Sequence, residues 1–274
     1  MLTATNLSIC YGPRKALDNF NIALAPGEIR ALIGPNGSGK STALQGMAGL
    51  VKPEAGAVTI DGAQMSGMTR REIAHRLSFL PQQPTAPDEM TVEQLVRQGR
   101  FAHVGLFRRY RREDEDAIAW ALESTGLAPL AERPLSALSG GERQRAWISA
   151  ALAQEAKVLL LDEPTTFLDI GYQIEVLDLV HRLSRERGVT VVMAIHDLNQ
   201  AMSIADRITL MEKGRVVFDG TSDALAESGL IEQVFRVEGR FVQIASDGPP
   251  HFDVHLKRWS GKRGFESAKH APAS

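Results

Sequence analysis

The chain has 274 residues, of which 43% are hydrophobic and 23% charged, and its formal net charge is −2. This composition is typical of a globular protein and excludes a disordered chain, while the small net charge gives no overall attraction to nucleic acid or anionic lipid. Cys10 is the only cysteine, so no internal disulfide can form, which fits a reducing compartment; we expect no signal peptide and find no apolar run of the roughly 18 residues that cross a bilayer.

The first part of the chain alternates short apolar runs with turn residues, which predicts strands. An edge strand is expected over residues 2–11 and a further strand over 20–24. The apolar run 29–33 predicts a buried strand that leads into a glycine-rich loop. Further on, the pattern predicts strand 56–62, helix 69–76 and strand 77–80, followed by Pro81 and Gln82.

The glycine-rich loop is the most informative stretch of the sequence. It reads Gly34, Pro35, Asn36, Gly37, Ser38, Gly39, Lys40 and Ser41, and Thr42 opens the helical pattern behind it. Glycines let the backbone curl so that its N–H groups point inward, at a helix N-terminus that favours negative charge. Lysine can then reach terminal phosphates and serine can ligate Mg²⁺. The loop therefore predicts a nucleoside triphosphate site.

Helical patterns fill the middle of the chain, and strands return after them. Helices are expected from about Thr91, over 112–125 and from about Ser139. A buried strand, 158–161, then precedes the amphipathic helix 170–187, the strand 189–195 and a hairpin over 207–219 that turns at residues 213–214. Strands alternating with helices around such a loop predict an α/β fold with a mostly parallel sheet.

Two further motifs define a resemblance. Leu138-Ser139-Gly140-Gly141-Glu142 stands just before a helix, and Leu161-Asp162-Glu163-Pro164 follows a buried strand. Together with the loop, they make residues 2–245 similar to the nucleotide-binding subunit of an ABC transporter. The resemblance implies a P-loop NTPase core, an antiparallel β subdomain and a helical subdomain inserted at about 83–156. The ABC ATPase domain would then cover 1–246, with a loosely ordered tail over 247–274.

The resemblance also implies a role for individual residues. Glu163 would polarise the attacking water, His196 and Lys40 would hold the γ-phosphate, and Tyr11 would stack on adenine. Mg²⁺ would be held by Ser41, Asp162 and Gln82. Ser139 and Gly141 would contact the γ-phosphate bound on the opposite subunit, and Asp169 would belong to the D-loop, among the nucleotide-binding residues.

The same resemblance implies partners. ATP would be sandwiched between two copies of the chain arranged head to tail. The dimer would drive an integral membrane permease from the cytoplasmic face of a bacterial inner membrane. A substrate-binding protein would take part indirectly, and no nucleic acid is expected.

Several of these residues also have a simpler interpretation. Tyr11 could be an ordinary strand aromatic, Gln82 with Gln83 a solvated loop pair, and His196 a helix cap. His251, Asp253 and His255 have a spacing that could ligate metal, but we interpret them as solvated tail residues. The arginines at 108, 109, 111 and 112 could meet phospholipid, although the acidic residues after them favour a solvated face.

Finer resemblance points to importers of iron(III)–siderophores, closest to those for ferric enterobactin and ferric hydroxamates. It is carried by residues 91–100, 142–148, 168–173, 179–188 and 196–201, and by the aromatic Phe167. The alternatives are a haem or cobalamin import ATPase and, from another class, a soluble ABC ATPase without a transport role. Copurification with a permease would separate the two classes.

Overall fold

The computed structural model describes residues 1–105, 109–166, 168–244 and 248–255. Phe167, Arg108 and the end of the chain after His255 therefore lie outside the described residues. The strands, in chain order, are β1 (Leu2–Tyr11), β2 (Arg14–Ala23), β3 (Ile29–Ile33), β4 (Ala55–Ile60), β5 (Ala63–Gln64), β6 (Leu77–Leu80), β7 (Val158–Asp162), β8 (Thr190–Ala194), β9 (Arg207–Glu212), β10 (Arg215–Gly220), β11 (Glu238–Val242) and β12 (His251–His255).

The α-helices within the same ranges alternate with these strands. They are α1 (Lys40–Met47), α2 (Arg70–Ala74), α3 (Val92–Gln98), α4 (Phe101–Val104), α5 (Arg112–Ser124), α6 (Gly140–Ala153), α7 (Ile170–Arg187), α8 (Leu198–Ile204), α9 (Ser222–Glu227) and α10 (Leu230–Phe235). None of the helices in the described ranges is long and apolar enough to cross a membrane.

The central sheet has the order β10-β9-β3-β8-β7-β6. All its neighbouring strands are parallel except the β9–β10 hairpin, which turns at residues 213–214 as predicted. Every residue of β3, β7 and β8 is buried, as expected for parallel strands covered on both faces. In the register, Ala194 of β8 pairs with Leu32 of β3 on one side and with Asp162 of β7 on the other. The three strands therefore end at one level.

The antiparallel sheet has the order β2-β1-β4-β5, and this corrects one expectation. We expected residues 2–11 at an edge, but β1 lies between β2 and β4. An antiparallel strand with one solvated face alternates in the same way at an edge and inside a sheet, so its sequence does not reveal its place. Strand β2 also begins earlier than predicted, because Tyr11 pairs with Arg14 across a tight turn at Gly12.

The predicted helical stretch between Thr91 and Ala156 consists of α3 to α6. Thr91 caps α3 as expected: its hydroxyl accepts a hydrogen bond from Gln94 N at 3.2 Å, and the Gln94 side chain accepts one from Thr91 N at 3.0 Å. Helix α7 has the predicted bounds and buries Val176, Leu179, Val180 and Leu183. Helices α9 and α10 were not predicted.

The described part of the expected tail, residues 248–255, differs from expectation. We predicted loose order from residue 247, yet β12 pairs with β11 in an antiparallel ribbon, and Phe252 is buried. Strand β12 is a short alternating run, and the connection from β11 is longer than the loop of a tight hairpin. No turn pattern therefore predicts that the two strands pair. The expected domain boundary at 246 stays a prediction.

Gly99, at the end of α3, allows α3 and α6 to approach closely. A Cβ on Gly99 would lie 2.1 Å from the carbonyl oxygen of Ala150 in α6, although its φ of −55° suits alanine. Gly99→Ala should therefore lower the free energy of unfolding by about 1–3 kcal/mol through overpacking. Denaturant titration measures this, with Gly67→Ala as the control because its Cβ position is open. Equal stability of the two variants would contradict this account of the helix contact.

Candidate active site

The loop between β3 and α1 can be built only with glycine at its turning points. Gly34 has a φ of 148°, and a Cβ there would lie 2.2 Å from the carbonyl oxygen of Met211. Gly39 has a φ of 106°, and its Cβ would lie 2.8 Å from the carbonyl oxygen of Ala16. Both positions are strained for any other residue and also lack the space for a side chain.

The loop encloses Lys40 and opens into a cavity. The Lys40 ammonium donates hydrogen bonds to the carbonyl oxygens of Gly34, at 2.8 Å, and Pro35, at 3.3 Å. Burial lowers the pKa of Lys40, although the nearby carboxylates of Glu163 and Asp162 act in the opposite direction. The cavity, of about 390 Å³, is lined by Tyr11, Arg14, Ala16, residues 36–42 and Glu163.

Two further features of the loop favour a phosphate. The hydroxyl oxygen of Ser38 is buried and has no hydrogen-bond partner within the protein, and because buried polar groups are normally hydrogen-bonded, it is available to a bound phosphate. Helix α1 begins at Lys40, and its N-cap, Gly39, provides no side-chain cap. The N–H groups of the first turn of α1 are therefore available to an anion.

Ser41 and Asp162 form an oxygen-rich corner beside the loop. The Ser41 hydroxyl donates to Asp162 Oδ1 at 3.0 Å. Asp162 is 4% exposed, and burial raises its pKa, with the Glu163 charge adding to the rise and the hydrogen bond from Ser41 opposing it. A buried carboxylate next to a hydroxyl fits a hard cation such as Mg²⁺, which prefers oxygen ligands.

Glu163 lies at the centre of a cluster of polar side chains. One carboxylate oxygen lies 2.5 Å from Nε2 of His196, and the other accepts hydrogen bonds from the amide of Gln82 and from Thr166 Oγ1. Glu163 is buried and has a φ of 55°, a conformation that costs free energy for a residue with a side chain. Such strain at a buried carboxylate is typical of functional sites.

The contacts of the cluster differ from two of the simpler interpretations. Gln82, rather than its neighbour Gln83, contacts Glu163. His196 is not the helix cap, because Asp197 is the N-cap of α8 and accepts from Gln200 N at 3.0 Å. Thr166 was missed, and its only sequence signal is a hydroxyl three residues after Glu163.

Tyr11 lies at the mouth of the cavity, at the end of β1. Its side chain is 47% exposed, and its hydroxyl donates to Gln45 Oε1 at 3.3 Å. An exposed ring beside a phosphate cavity has the surface needed to stack on a base. This placement is compatible with the expected adenine contact.

Ser139, Gly141 and Asp169 belong to a separate patch, and none of them lines the cavity as far as the chain is described. Ser139 caps α6, and Asp169 caps α7 by accepting from Tyr172 N at 3.0 Å. A Cβ on Gly141 would lie 2.5 Å from Cγ of Tyr172, so the two helix starts meet at this ring. The structure does not bring these residues to the glycine-rich loop of the same chain.

Two other groups of residues have no role in the cavity. His251, Asp253 and His255 lie on β12, and the described ranges contain no group of three or more His, Cys, Asp or Glu side chains that could hold a metal ion. Arg112 is 95% exposed and pairs with Asp116 at 3.9 Å. The described arginines after residue 108 therefore fit the interpretation as a solvated face.

The parallel sheet, the glycine-rich loop with its lysine and the carboxylates at the end of β7 define a P-loop nucleotide-binding ATPase fold. Comparison with known proteins then gives the family. Residues 17–166 match the family described as ABC transporter. The chain therefore belongs to the ABC transporter family, as a nucleotide-binding ATPase subunit.

Two curated relatives are similar over most of their length. The iron(3+)-hydroxamate import ATP-binding protein of Bacillus subtilis is 45% identical over 88% of this chain and 90% of its own. The ferric enterobactin transport ATP-binding protein of Escherichia coli is 39% identical over 91% of this chain and 92% of its own.

Two solved structures share the fold. A metal-chelate type ABC transporter in an inward-facing conformation superimposes with a TM-score of 0.81 at 30% identity, covering 94% of this chain and 98% of the other. A dimeric bacterial ABC transporter cassette gives a TM-score of 0.72 at 29% identity, covering 81% and 98%.

Lys40→Ala should weaken nucleotide binding about 10- to 100-fold, because it removes one charge-assisted hydrogen-bond donor to the phosphates. Titration with a fluorescent ATP analogue measures the dissociation constant. Lys52→Ala is the control, since that exposed side chain lies in the same half of the chain. Unchanged affinity in Lys40→Ala, with the thermal midpoint preserved, would contradict the role of Lys40.

Proposed function

We propose that the chain is the ATP-hydrolysing subunit of an importer that takes up iron(III)–siderophores through a separate membrane permease. The observation that carries the enzymatic part is the placement of Glu163 on the wall of the loop cavity, in contact with Gln82 and His196. The names of the two relatives support the cargo.

In this proposal the phosphates of ATP lie in the loop, on the N–H groups of residues 36–42 and on the Lys40 ammonium. Tyr11 stacks on the adenine. Ser41, Asp162 and Gln82 would hold Mg²⁺, which would supply positive charge to neutralise the phosphates. Lys40 then leaves its carbonyl partners for the γ-phosphate, which compensates the cost of burying its charge.

Hydrolysis depends on Glu163 as the general base that orients and polarises the attacking water. His196 holds the γ-phosphate and keeps Glu163 in position through their contact. Gln82 donates a hydrogen bond to the other carboxylate oxygen of Glu163. A movement of the loop after β6, which carries Gln82, would therefore act directly on the position of the general base. The strained backbone of Glu163 fixes the direction of its side chain.

A second copy of the chain completes each site. Ser139, Gly141 and Asp169 form a patch away from their own cavity, and a head-to-tail dimer places that patch on the nucleotide of the other copy. A cassette of similar structure that is dimeric supports the formation of a dimer. ATP bound between the two copies favours the closed dimer, and its hydrolysis removes that preference. The resulting closing and opening of the dimer drives the conformational change of the permease.

We place this dimer on the cytoplasmic face of a bacterial inner membrane, bound to the permease, with a substrate-binding protein acting on the opposite side. The metal-chelate type ABC transporter of similar structure supports the association with a membrane transporter. The assignment of the cargo rests on the names of the relatives. Haem and cobalamin are the competing cargoes.

Uptake of radiolabelled ferric siderophore by iron-starved cells tests the proposal. Cells carrying Glu163→Gln should lose uptake at least tenfold, because loss of a general base slows hydrolysis by about 10²-fold or more. Cells carrying Glu132→Gln, which changes an exposed carboxylate, should match the wild type. Parallel arms use labelled haem and cobalamin. Loss of uptake confined to one of those arms would overturn the siderophore assignment.

A further inference from the structure

The antiparallel pair β11 and β12, here called the C-terminal ribbon, is attached to α8 by the side chain of Asn199. The Asn199 Oδ1 atom accepts a hydrogen bond from Phe252 N at 2.8 Å, and its amide nitrogen donates to Phe252 O at 3.3 Å. The same nitrogen lies 3.2 Å from Nε2 of His251. One side-chain amide thus pairs with both backbone groups of Phe252, as a neighbouring strand would.

Phe252 also anchors the ribbon through apolar contacts. Its side chain is 5% exposed and belongs to the same buried cluster as Ala201 and Met202 of α8. Its ring lies 4.9 Å from that of Phe241 in β11, and a Cβ on Gly239 would lie 2.4 Å from Phe252 Cζ. The two strands of the ribbon therefore pack around Phe252, and Phe252 shares its buried cluster with α8.

Helix α8 leads directly to the cluster around Glu163. His196 precedes its N-cap, Asp197, and contacts Glu163. Gln200 follows Asn199 on α8. Its side-chain amide donates to Gln173 Oε1 at 2.6 Å, and its Oε1 accepts a hydrogen bond from Thr165 Oγ1 at 3.4 Å. Two neighbouring side chains therefore hold α8, one towards the C-terminal ribbon and one towards α7 and the turn after Glu163.

We propose that Asn199 is a positioning residue for ATP hydrolysis. It fixes α8 against the C-terminal ribbon and in this way sets the position of His196 relative to Glu163. Asn199 itself contacts neither the nucleotide cavity nor Glu163 in the described contacts. The inference rests on the proposed role of His196, and it gives the segment 251–255 a part in catalysis.

The test separates a positioning role from a general effect on folding. Asn199→Ala should lower kcat of the purified protein about 3- to 10-fold, as expected for the loss of one or two hydrogen bonds. The KM for ATP should change less than kcat, because the loop and Lys40 make most of the proposed contacts with the nucleotide. Asn199→Asp, which retains an acceptor for Phe252 N but cannot donate to Phe252 O, should give an intermediate kcat.

The matched control is Asn21→Ala. Its side-chain amide also pairs with backbone at both ends, with Asn6 N and Asn19 O at 2.8 Å each, but in the antiparallel sheet away from α8. This variant should keep the kcat of the wild type. A fall in kcat equal to that of Asn199→Ala would overturn the inference.

A double variant provides the decisive readout. If Asn199 acts through His196, adding Asn199→Ala to His196→Ala should cause no further fall in kcat. A full additional fall would overturn the positioning role while leaving the proposed function intact. A wild-type kcat in His196→Ala alone would instead overturn the proposed role of His196. If Asn199→Ala does not fold, the same comparison is made with Asn199→Asp.

Discussion

The register of three parallel strands determines where the chemistry takes place. Ala194 pairs with both Leu32 and Asp162, so β3, β8 and β7 end side by side. The segments that follow them carry Lys40, His196 and Glu163, respectively. Each of these residues comes from a different part of the chain, and only the sheet brings them together. The backbone N–H of Glu163 donates a hydrogen bond to the carbonyl oxygen of Ala194, at 3.2 Å. The hydrogen bonding between β7 and β8 therefore extends beyond the end of β7 to Glu163. A shift of one residue in this register would separate the base from the loop.

The buried charges around the loop explain why the site needs its nucleotide. Lys40 and Asp162 are both buried, and burial disfavours the charged form of each, lowering the pKa of the lysine and raising that of the aspartate. A polyphosphate with a bound cation meets both requirements, because it places negative charge at Lys40 and positive charge at Asp162. In the proposed dimer, the second half of the site would lie on the patch around Ser139 and Tyr172. This division between two surfaces is the physical basis of the proposed dimer.

Local signals allowed much of this site to be predicted from the sequence. The glycine-rich loop, the buried strand before Asp162 and the strand before His196 are continuous stretches whose patterns do not depend on distant residues. The features that the sequence did not predict depend on contacts between residues that are far apart in the chain. The inner position of β1, the ribbon of β11 and β12, and the contact of Asn199 with Phe252 all join residues that carry no mutual signal. The choice of Gln82 over Gln83 likewise depends on where Glu163 lies.

The central claim is that one chain holds half of each ATP site and that Glu163 ends the closed state by hydrolysis. Sedimentation equilibrium of Glu163→Gln, with and without ATP and Mg²⁺, tests it most directly. With ATP the account predicts a mass double that of the 29.9 kDa chain, and without ATP a return to the single chain. A single-chain mass at saturating ATP, with nucleotide shown to be bound, would contradict it.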